Sequence, residues 1–418
     1  MRRSTPRLAG VALVTIAGLV LVGCSSKTPS DTPTGAETTA SGEETTAPEA
    51  GPLSIQPLAE IDAEGNEAAA TGTSGAVDPA GDGSAECADG TSIAMMGALT
   101  GGNAALGQNI LNGVKLAVGA FNEANAGCQI TIKEFDTEGD PQKATQVAPS
   151  IVGDASVIGI VGPAFSGESR ATGPVFSQAN LLMLSPSATN PTLTQQGWTN
   201  FVRGLGNDNS QGGAAGSYIT GTLGLGKVCV VKDDSDYGIG LAEVVTETLG
   251  DVADSSCSGD VKTGDKDFSA LVSIINDAAP DAVYYAGYYN EGAPFVSQLR
   301  DGGYEGAFFS GDGTNDPQFV EQAGDASKDS YLSCPCGPAP EAYAGLYEAE
   351  FGQAPGVYSV EGYDLATIIL TGIASGVADR AALVDYVRAY DGYGLAKHYK
   401  WDETGELGGT TTWIYQVK

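Results

Sequence analysis

The sequence predicts an α/β fold of two lobes, and three observations support that prediction. Short apolar runs alternate with segments whose apolar residues recur at helical spacing. The alternation occurs in two sets, which the polar stretch 207–210 separates. Helical and strand patterns are left over at the C-terminal end, which indicates that the chain crosses back between lobes. Alternating strands and helices form right-handed units around parallel sheets, so each lobe is expected to be Rossmann-like.

The first set runs from residue 92 to residue 184. Its predicted strands are 92–99, 129–136, 157–161 and 181–184. A helix is predicted over 108–125, where Leu111, Val114, Val118 and Phe121 recur at helical spacing. A second helix is expected to begin at Pro141, because proline suits the first turn.

The second set begins after residue 210 and is followed by the C-terminal elements. Strands are predicted at 227–231, 259–262, 281–286 and 307–310, and helices at 240–249, 268–277 and 291–300. Helices at 341–351, 359–375 and 381–389 follow, and then strands at 396–401 and 411–417.

The first 24 residues are predicted to be a targeting segment. Arg2, Arg3 and Arg7 precede an apolar run over 8–22, which is shorter than the roughly 20 residues of a membrane span. The run ends in Leu21-Val-Gly-Cys24, which resembles a bacterial lipobox and implies a lipid on Cys24. An ordinary secretory signal is the alternative, and both interpretations export the protein.

Residues 25–84 are predicted to be a disordered acidic tether. They contain no aromatic residue, eleven acidic residues and a single basic residue, Lys27. Such a segment buries too little apolar surface to order itself. The remaining chain is long enough for two lobes, with lobe 1 expected at 85–206 and 337–400 and lobe 2 at 207–336 and 401–418.

Charge and composition exclude several classes of partner. The formal net charge of −32 argues against nucleic acids and anionic lipid surfaces. Neither a metal nor a cofactor is expected, because no C-x-x-C motif occurs and His398 is the only histidine. The acidic run Asp233, Asp234 and Asp236 does not match a calcium loop.

Six cysteines remain after Cys24, and pairing is the expectation for an exported protein. Cys87 and Cys128 each precede a predicted strand, so this pair is plausible. Cys229 lies in one strand and Cys257 just before the next, which favours a second pair. Cys334 and Cys336 are left over, although a C-x-C bridge is unusual.

Polar clusters follow five predicted strands, where parallel sheets bind their ligands. After Val161, the sequence runs through Ala164 and Phe165 to Ser166, which would form an anion site as the N-cap of a helix. Hydroxyls follow at Ser185, Ser187 and Thr189. For these hydroxyls a simple helix cap is the alternative. The other clusters contain Tyr237, Tyr288 with Tyr289, and Asp312.

An ordered set of short motifs over residues 92–417 resembles the extracytoplasmic branched-chain amino acid-binding proteins of ABC importers. The motifs are Gly162-Pro163, Leu184-Ser-Pro-Ser-Ala-Thr-Asn-Pro191, Gln211, Asp236-Tyr-Gly238, Asp267-Phe-Ser-Ala-Leu271, Tyr284-Tyr-Ala-Gly-Tyr-Tyr289 and Trp401-Asp402. The resemblance implies the type I periplasmic-binding-protein fold, in which three crossovers form a hinge and two lobes close on a ligand. It also implies that the protein is a monomer whose partners are the permease subunits of an ABC importer. The lipid would be the only part of the protein that contacts the membrane.

The resemblance also implies a role for each candidate binding residue. Ser166 and Thr189 would hold the ligand carboxylate, while the Ser187 carbonyl, Thr189 and Asp312 would contact the ammonium group. Tyr237 and Tyr288 would close on the ligand from the second lobe. The side-chain pocket would be lined by Leu106, Phe165 and Tyr358, with Ala164 beside them.

Three residues depart from the family pattern. Asp312 stands where glutamate is common and is one methylene shorter, so a water-mediated contact with the ammonium group is open to it. Gly139 and Phe165 occupy the positions of a disulfide found in some members. Leu106 stands where an aromatic residue is common, which leaves the identity of the ligand open.

Other functions remain as alternatives. An enzyme is not expected, because no G-x-S-x-G, S-x-x-K or H-E-x-x-H motif occurs and a serine triad would depend on His398. A ligand-sensing lipoprotein would bind the same ligand and signal through a partner. A binder of amides or urea would present no ammonium group to Asp312.

Overall fold

Two β-sheets organise the protein in the computed structural model, which describes residues 52–68 and 75–418. The predicted signal segment 1–24, the lipidation site Cys24 and the tether residues 25–51 and 69–74 lie outside the described residues. Among those that are described, no helix is long and apolar enough to cross a membrane.

A parallel sheet of five strands forms the first half of the fold. Its strands are β2 (Ser92–Gly97), β3 (Thr131–Asp136), β4 (Val157–Val161), β5 (Leu182–Ser185) and β6 (Phe201–Arg203), in the order β3-β2-β4-β5-β6. All six residues of β2 are buried, as expected for a strand inside a covered parallel sheet. The helices around this sheet are α1 (Ala104–Ala124), α2 (Pro141–Gly153), α3 (Ser166–Gln178), α10 (Ser359–Ala374) and α11 (Arg380–Arg388).

A mixed sheet of seven strands forms the second half. Five parallel strands are β7 (Val228–Lys232), β8 (Gly259–Asp260), β9 (Ala282–Ala286), β10 (Ala307–Ser310) and β11 (Tyr331–Cys334). Two antiparallel strands extend it beyond β11, namely β14 (Thr412–Val417) and then β1 (Ile55–Ile61). The other helices are α4 (Asp208–Ser217), α5 (Asp236–Leu249), α6 (Ser269–Ala278), α7 (Tyr289–Asp301), α8 (Pro317–Ala323) and α9 (Glu341–Phe351).

The chain crosses between the two sheets three times after β2. It leaves β6 for α4, which packs on β11 and β14. It returns after β11 to α10 and α11, which pack on β4. A small pair of strands, β12 (Asp391–Tyr393) and β13 (His398–Lys400), then leads to β14. This arrangement confirms the predicted α/β fold of two sheets with three crossovers.

The prediction of a disordered tether over 25–84 is wrong for one segment. Residues Ile55–Ile61 form β1, which pairs with β14 from Ile55 opposite Val417 to Ile61 opposite Thr412. Further along, the Asn125 side chain holds the backbone of Ala80 and Ala85 at 3.0 Å in both cases. The N-terminal segment therefore packs on both halves of the fold.

The three predicted disulfides are all present. Cys87 pairs with Cys128, Cys229 with Cys257 and Cys334 with Cys336, at Cα–Cα distances of 4.8, 5.3 and 4.9 Å. The C-x-C pair lies at the end of β11, where the chain begins its second crossing. Its loop is therefore closed covalently beside the hinge.

Candidate functional site

The candidate site lies between the two sheets, where loops after β4, β5 and β10 face the N-termini of α5 and α7. A small cavity lies there, and in this conformation it has room for little more than one water molecule. Its lining contains eight of the ten predicted binding residues and one residue that was not predicted, and these are Leu106, Ile110, Ala164, Phe165, Ser187, Tyr237, Tyr288, Asp312 and Tyr358. The sequence predictions therefore converge on one buried space.

The loops after β4 and β5 are tied to each other by serine hydroxyls. Ser185 Oγ donates to the Pro163 carbonyl at 2.7 Å, and Ser187 Oγ donates to the Ala164 carbonyl at 2.6 Å. The Ala188 N–H donates in turn to Ser185 Oγ at 3.0 Å. Because the hydroxyls bind backbone, this wall of the cavity is fixed by local chemistry.

Arg203, which is fully buried at the end of β6, supports the same wall from behind. Its guanidinium donates to the Ala188 carbonyl at 2.6 Å and to the Asn190 carbonyl at 3.0 Å. Glu406 pairs with it at 3.0 Å. The pairing compensates a charge that would be costly if buried alone.

Asp312 lies in the opposite wall, and its carboxyl group accepts three side-chain hydrogen bonds. Its Oδ1 accepts from Tyr237 OH at 2.6 Å and from Gln211 Nε2 at 2.8 Å. Its Oδ2 accepts from Tyr358 OH at 2.5 Å. Tyr358 precedes α10, which packs on the five-stranded sheet, so this bond joins the two sides of the cavity.

Aromatic rings form the apolar part of the lining. The Tyr288 ring lies 5.1 Å from that of Phe165 and 5.0 Å from that of Tyr237, measured between centroids. Leu106 and Ile110 of α1 are buried beside them. Such a wall suits an apolar ligand side chain.

Burial governs the ionisation of the acidic groups. It raises the pKa of Asp312, and hydrogen bonds from Tyr237, Tyr358 and Gln211 oppose the rise. Burial also raises the pKa of Glu168, near the N-terminus of α3, to about 8. Asp208 at the start of α4 likewise has its pKa raised to about 8 by burial.

Ser166 and Thr189 lie beside the cavity lining and are buried. The prediction that Ser166 is the N-cap of α3 is wrong. Phe165 is the N-cap, and Ser166 is the first helical residue. The extended backbone at Phe165 places the cap one residue earlier, and the Phe165 N–H donates to Glu168 Oε2 at 3.1 Å. Ser166 Oγ instead accepts from the Asn190 N–H at 3.3 Å.

The acidic run before α5 is used by local contacts. Asp233 Oδ1 accepts from the Ser235 N–H at 3.0 Å, and Asp234 Oδ1 accepts from the Thr263 N–H at 2.9 Å. Asp236 pairs with Arg170. Within residues 52–68 and 75–418, no group of three or more histidine, cysteine, aspartate or glutamate side chains could hold a metal ion.

Sequence reasoning missed three residues that shape the site. Ile110 extends the apolar stripe of α1 by helical spacing, which is a signal that could have identified it. Gln211 entered only as part of a motif, and nothing local indicated its bond to Asp312. Arg203 was not singled out, because a lone arginine at a strand end reads as a surface residue.

Comparisons with known proteins agree with this geometry. The family model described as periplasmic binding protein matches residues 90–418. The leucine-specific-binding protein of Salmonella typhimurium is 30% identical over 338 residues, which cover 79% of this chain and 91% of that protein. A leucine-, isoleucine-, valine-, threonine- and alanine-binding protein of Pseudomonas aeruginosa is 29% identical over 79% of this chain and 90% of its own length.

Solved structures give the same result. The branched-chain amino acid transporter substrate-binding protein LivJ of Streptococcus pneumoniae, solved in complex with isoleucine, superposes with a TM-score of 0.72 at 26% identity. The match covers 78% of this chain and 99% of that one. Since the family model also spans more than half of the sequence, the chain belongs to the periplasmic binding protein family.

Proposed function

We propose that the protein binds an aliphatic amino acid between its two lobes, closes on it and delivers it to an ABC importer. The observation that carries this proposal is the buried cavity, whose lining combines backbone-tied hydroxyls, a carboxyl group and an apolar wall. The relatives whose names specify leucine or several small amino acids support it. The lobe boundaries proposed are 85–206 with 337–400, and 207–336 with 401–418, to which β1 is added.

A zwitterion needs hydrogen-bond donors at one end and acceptors at the other. The N-terminus of α3 at Ser166 offers unpaired amides and a favourable dipole for the ligand carboxylate. The raised pKa of Glu168, about 8, keeps that carboxyl group mostly neutral, so it does not repel an anion there. The Ser187 carbonyl, the Thr189 hydroxyl and Asp312 would accept from the ammonium group.

Closure would bring the two walls together around the ligand. Contacts across the cleft already exist away from the cavity: Asn109 Nδ2 donates to Asp316 Oδ2 at 2.9 Å, and Asn190 Nδ2 donates to the Asp236 carbonyl at 2.6 Å. Tyr237 and Tyr288 would cover the ligand from the second lobe. Leu106, Phe165, Ala164 and Tyr358 would contact its side chain.

Calorimetry tests the ligand directly. The folded protein, unfolded and refolded to remove bound ligand, is titrated with leucine, isoleucine, valine, alanine, phenylalanine and urea. Leucine, isoleucine or valine should bind most tightly. Binding of urea alone would contradict the proposal and favour the amide-binding alternative.

The anchoring of the protein can be tested separately. We expect cleavage before Cys24 and a lipid on that cysteine, which keeps the protein at the outer face of the membrane. A Cys24→Ala variant should therefore appear in the medium or the soluble exported fraction. Retention of that variant in the membrane fraction would contradict a lipid anchor at this residue.

A further inference from the structure

Helix α4 is the first crossover between the sheets, and it carries two buried polar residues that face the proposed ammonium site. Asp208 and Gln211 are spaced three residues apart, so they lie on one face of the helix. Neither side chain is exposed to solvent. Each adjoins a different one of the two side chains proposed to accept from the ammonium group.

Gln211 is bonded directly to Asp312. Its Nε2 donates to Asp312 Oδ1 at 2.8 Å and to the Ser333 carbonyl at 2.9 Å. Its Oε1 is buried and has no hydrogen-bond partner among the residues described. The amide therefore fixes the Asp312 carboxyl group to β11 and directs a free acceptor into the same region.

Asp208 adjoins Thr189 in the other wall. The Asp208 N–H donates to the Thr189 carbonyl at 3.0 Å. The Thr189 hydroxyl is near enough to lower the pKa of Asp208. However, Thr189 Oγ1 and both carboxyl oxygens of Asp208 complete no hydrogen bond of good geometry within the described part of the chain. The two groups are therefore adjacent, and the hydrogen bond between them is not formed in this conformation.

We propose that α4 positions both halves of the ammonium site, with Gln211 holding Asp312 and Asp208 orienting the hydroxyl of Thr189. In this arrangement the Thr189 hydroxyl donates a hydrogen bond to the Asp208 carboxyl group, so the lone pairs of Thr189 Oγ1 face the ammonium group. Because α4 joins the two sheets, one element fixes acceptors that come from opposite walls. This inference rests on the proposed amino acid ligand.

The pH dependence of binding distinguishes positioning from simple packing. An ammonium group needs an ionised Asp312, and the Gln211 amide lowers the pKa of that carboxyl group. Without the amide, Asp312 ionises at higher pH. The other titratable groups that face Asp312 are Tyr237, Tyr284, Tyr288, Tyr358 and Asp208. Burial raises the pKa of each tyrosine, so these phenols stay neutral over the range tested. Burial also raises the pKa of Asp208, to about 8, and that of Asp312.

The test is calorimetry with leucine from pH 6 to pH 9. Wild type is measured first, and failure to bind any amino acid there would overturn the proposed function itself. Gln211→Met keeps the size of the side chain and removes the donor. It should weaken binding about ten-fold near pH 7, and the difference from wild type should shrink as the pH rises. The matched control is Gln322→Met on exposed α8, which should bind as wild type does.

Asp208 is tested by a conservative pair. Asp208→Asn keeps an oxygen that can accept from Thr189 and should bind leucine within about three-fold of wild type, whereas Asp208→Leu should weaken binding about ten-fold. Equal losses in both variants would overturn the role of Asp208. For Gln211, wild-type affinity, or one constant loss at every pH, would overturn the proposal.

Discussion

The two walls of the cavity differ in what supplies their polar groups. On the side of the five-stranded sheet, Ser185 and Ser187 bind backbone carbonyls, and Arg203 holds the loop from behind. On the side of the seven-stranded sheet, the carboxyl group of Asp312 is bonded to the phenol of Tyr237. The first wall is organised by serine hydroxyls and the Arg203 guanidinium, which all donate to backbone carbonyls. The second contains the carboxyl group that is proposed to accept from the ammonium group.

This difference indicates a division of labour. Hydroxyl and amide groups hold a carboxylate without changing their own ionisation, and Glu168 beside them is mostly neutral below its pKa of about 8. The first wall should therefore act alike below that pH. Asp312 can accept from an ammonium group only when it is ionised, and burial raises its pKa. The second wall should therefore set the affinity for the ligand, and the first wall should set the position and orientation of the bound ligand.

The largest effect is expected from Asp312→Asn. The amide has nearly the same shape but no charge, so affinity for leucine should fall about 100-fold. Stability should not fall, because the variant removes a carboxyl group whose raised pKa reflects a cost of burial. Calorimetry and thermal unfolding measure the two effects.

Asp301→Asn at the exposed end of α7 is the matched control, and it should change neither quantity. Unchanged affinity in Asp312→Asn would show that the second wall does not read the ammonium group.

A smaller effect is expected from Tyr358→Phe. The change removes the 2.5 Å bond to Asp312 that crosses the cavity, and affinity should fall about ten-fold. Tyr343→Phe removes a similar buried hydroxyl, which donates to the Ser359 carbonyl at 2.9 Å and is not part of the cavity lining. The control should lose stability and retain affinity; a loss of affinity in both variants would point to general destabilisation.

The first wall should respond less. Ser187→Ala removes the 2.6 Å bond to the Ala164 carbonyl and leaves the Ser187 carbonyl in place. Affinity for leucine should fall by about five-fold, since one neutral hydrogen bond contributes roughly 1 kcal/mol. A loss as large as that of Asp312→Asn would contradict the division of labour between the walls.

Much of the fold could be predicted because buried parallel strands are short apolar runs. The run 157–161 matches β4, and 307–310 matches β10. Helix α4 could not be predicted in this way, since its sequence contains Gly212, Gly213 and Gly216 and no apolar stripe. Gly212 and Gly216 allow close packing on α5; a Cβ at Gly216 would lie 2.7 Å from Thr248 Cγ2.

The candidate site was predictable where binding residues follow the ends of strands directly, as Ser187 and Asp312 do. Contacts between distant parts of the chain were not predictable. Gln211 and Asp312 are 101 residues apart, and no local pattern in the sequence specifies their bond. Strand β1 was missed for a different reason, because its seven residues lie in a stretch whose composition is that of a tether.

Strand β1 provides the prediction with the smallest effect on binding. It lies at the outer end of the seven-stranded sheet, beyond β14, whereas Asp312 follows β10 near the middle. A soluble protein that begins at residue 75 should therefore bind leucine within about two-fold of one that begins at residue 52. It should unfold more easily, by about 1–3 kcal/mol, because the edge of β14 and buried Val417 lose their cover. Denaturant unfolding and calorimetry of the two proteins measure both quantities. A ten-fold change in affinity would mean that β1, which precedes the family match, also influences closure. The second wall would then depend on the N-terminal strand as well as on Asp312.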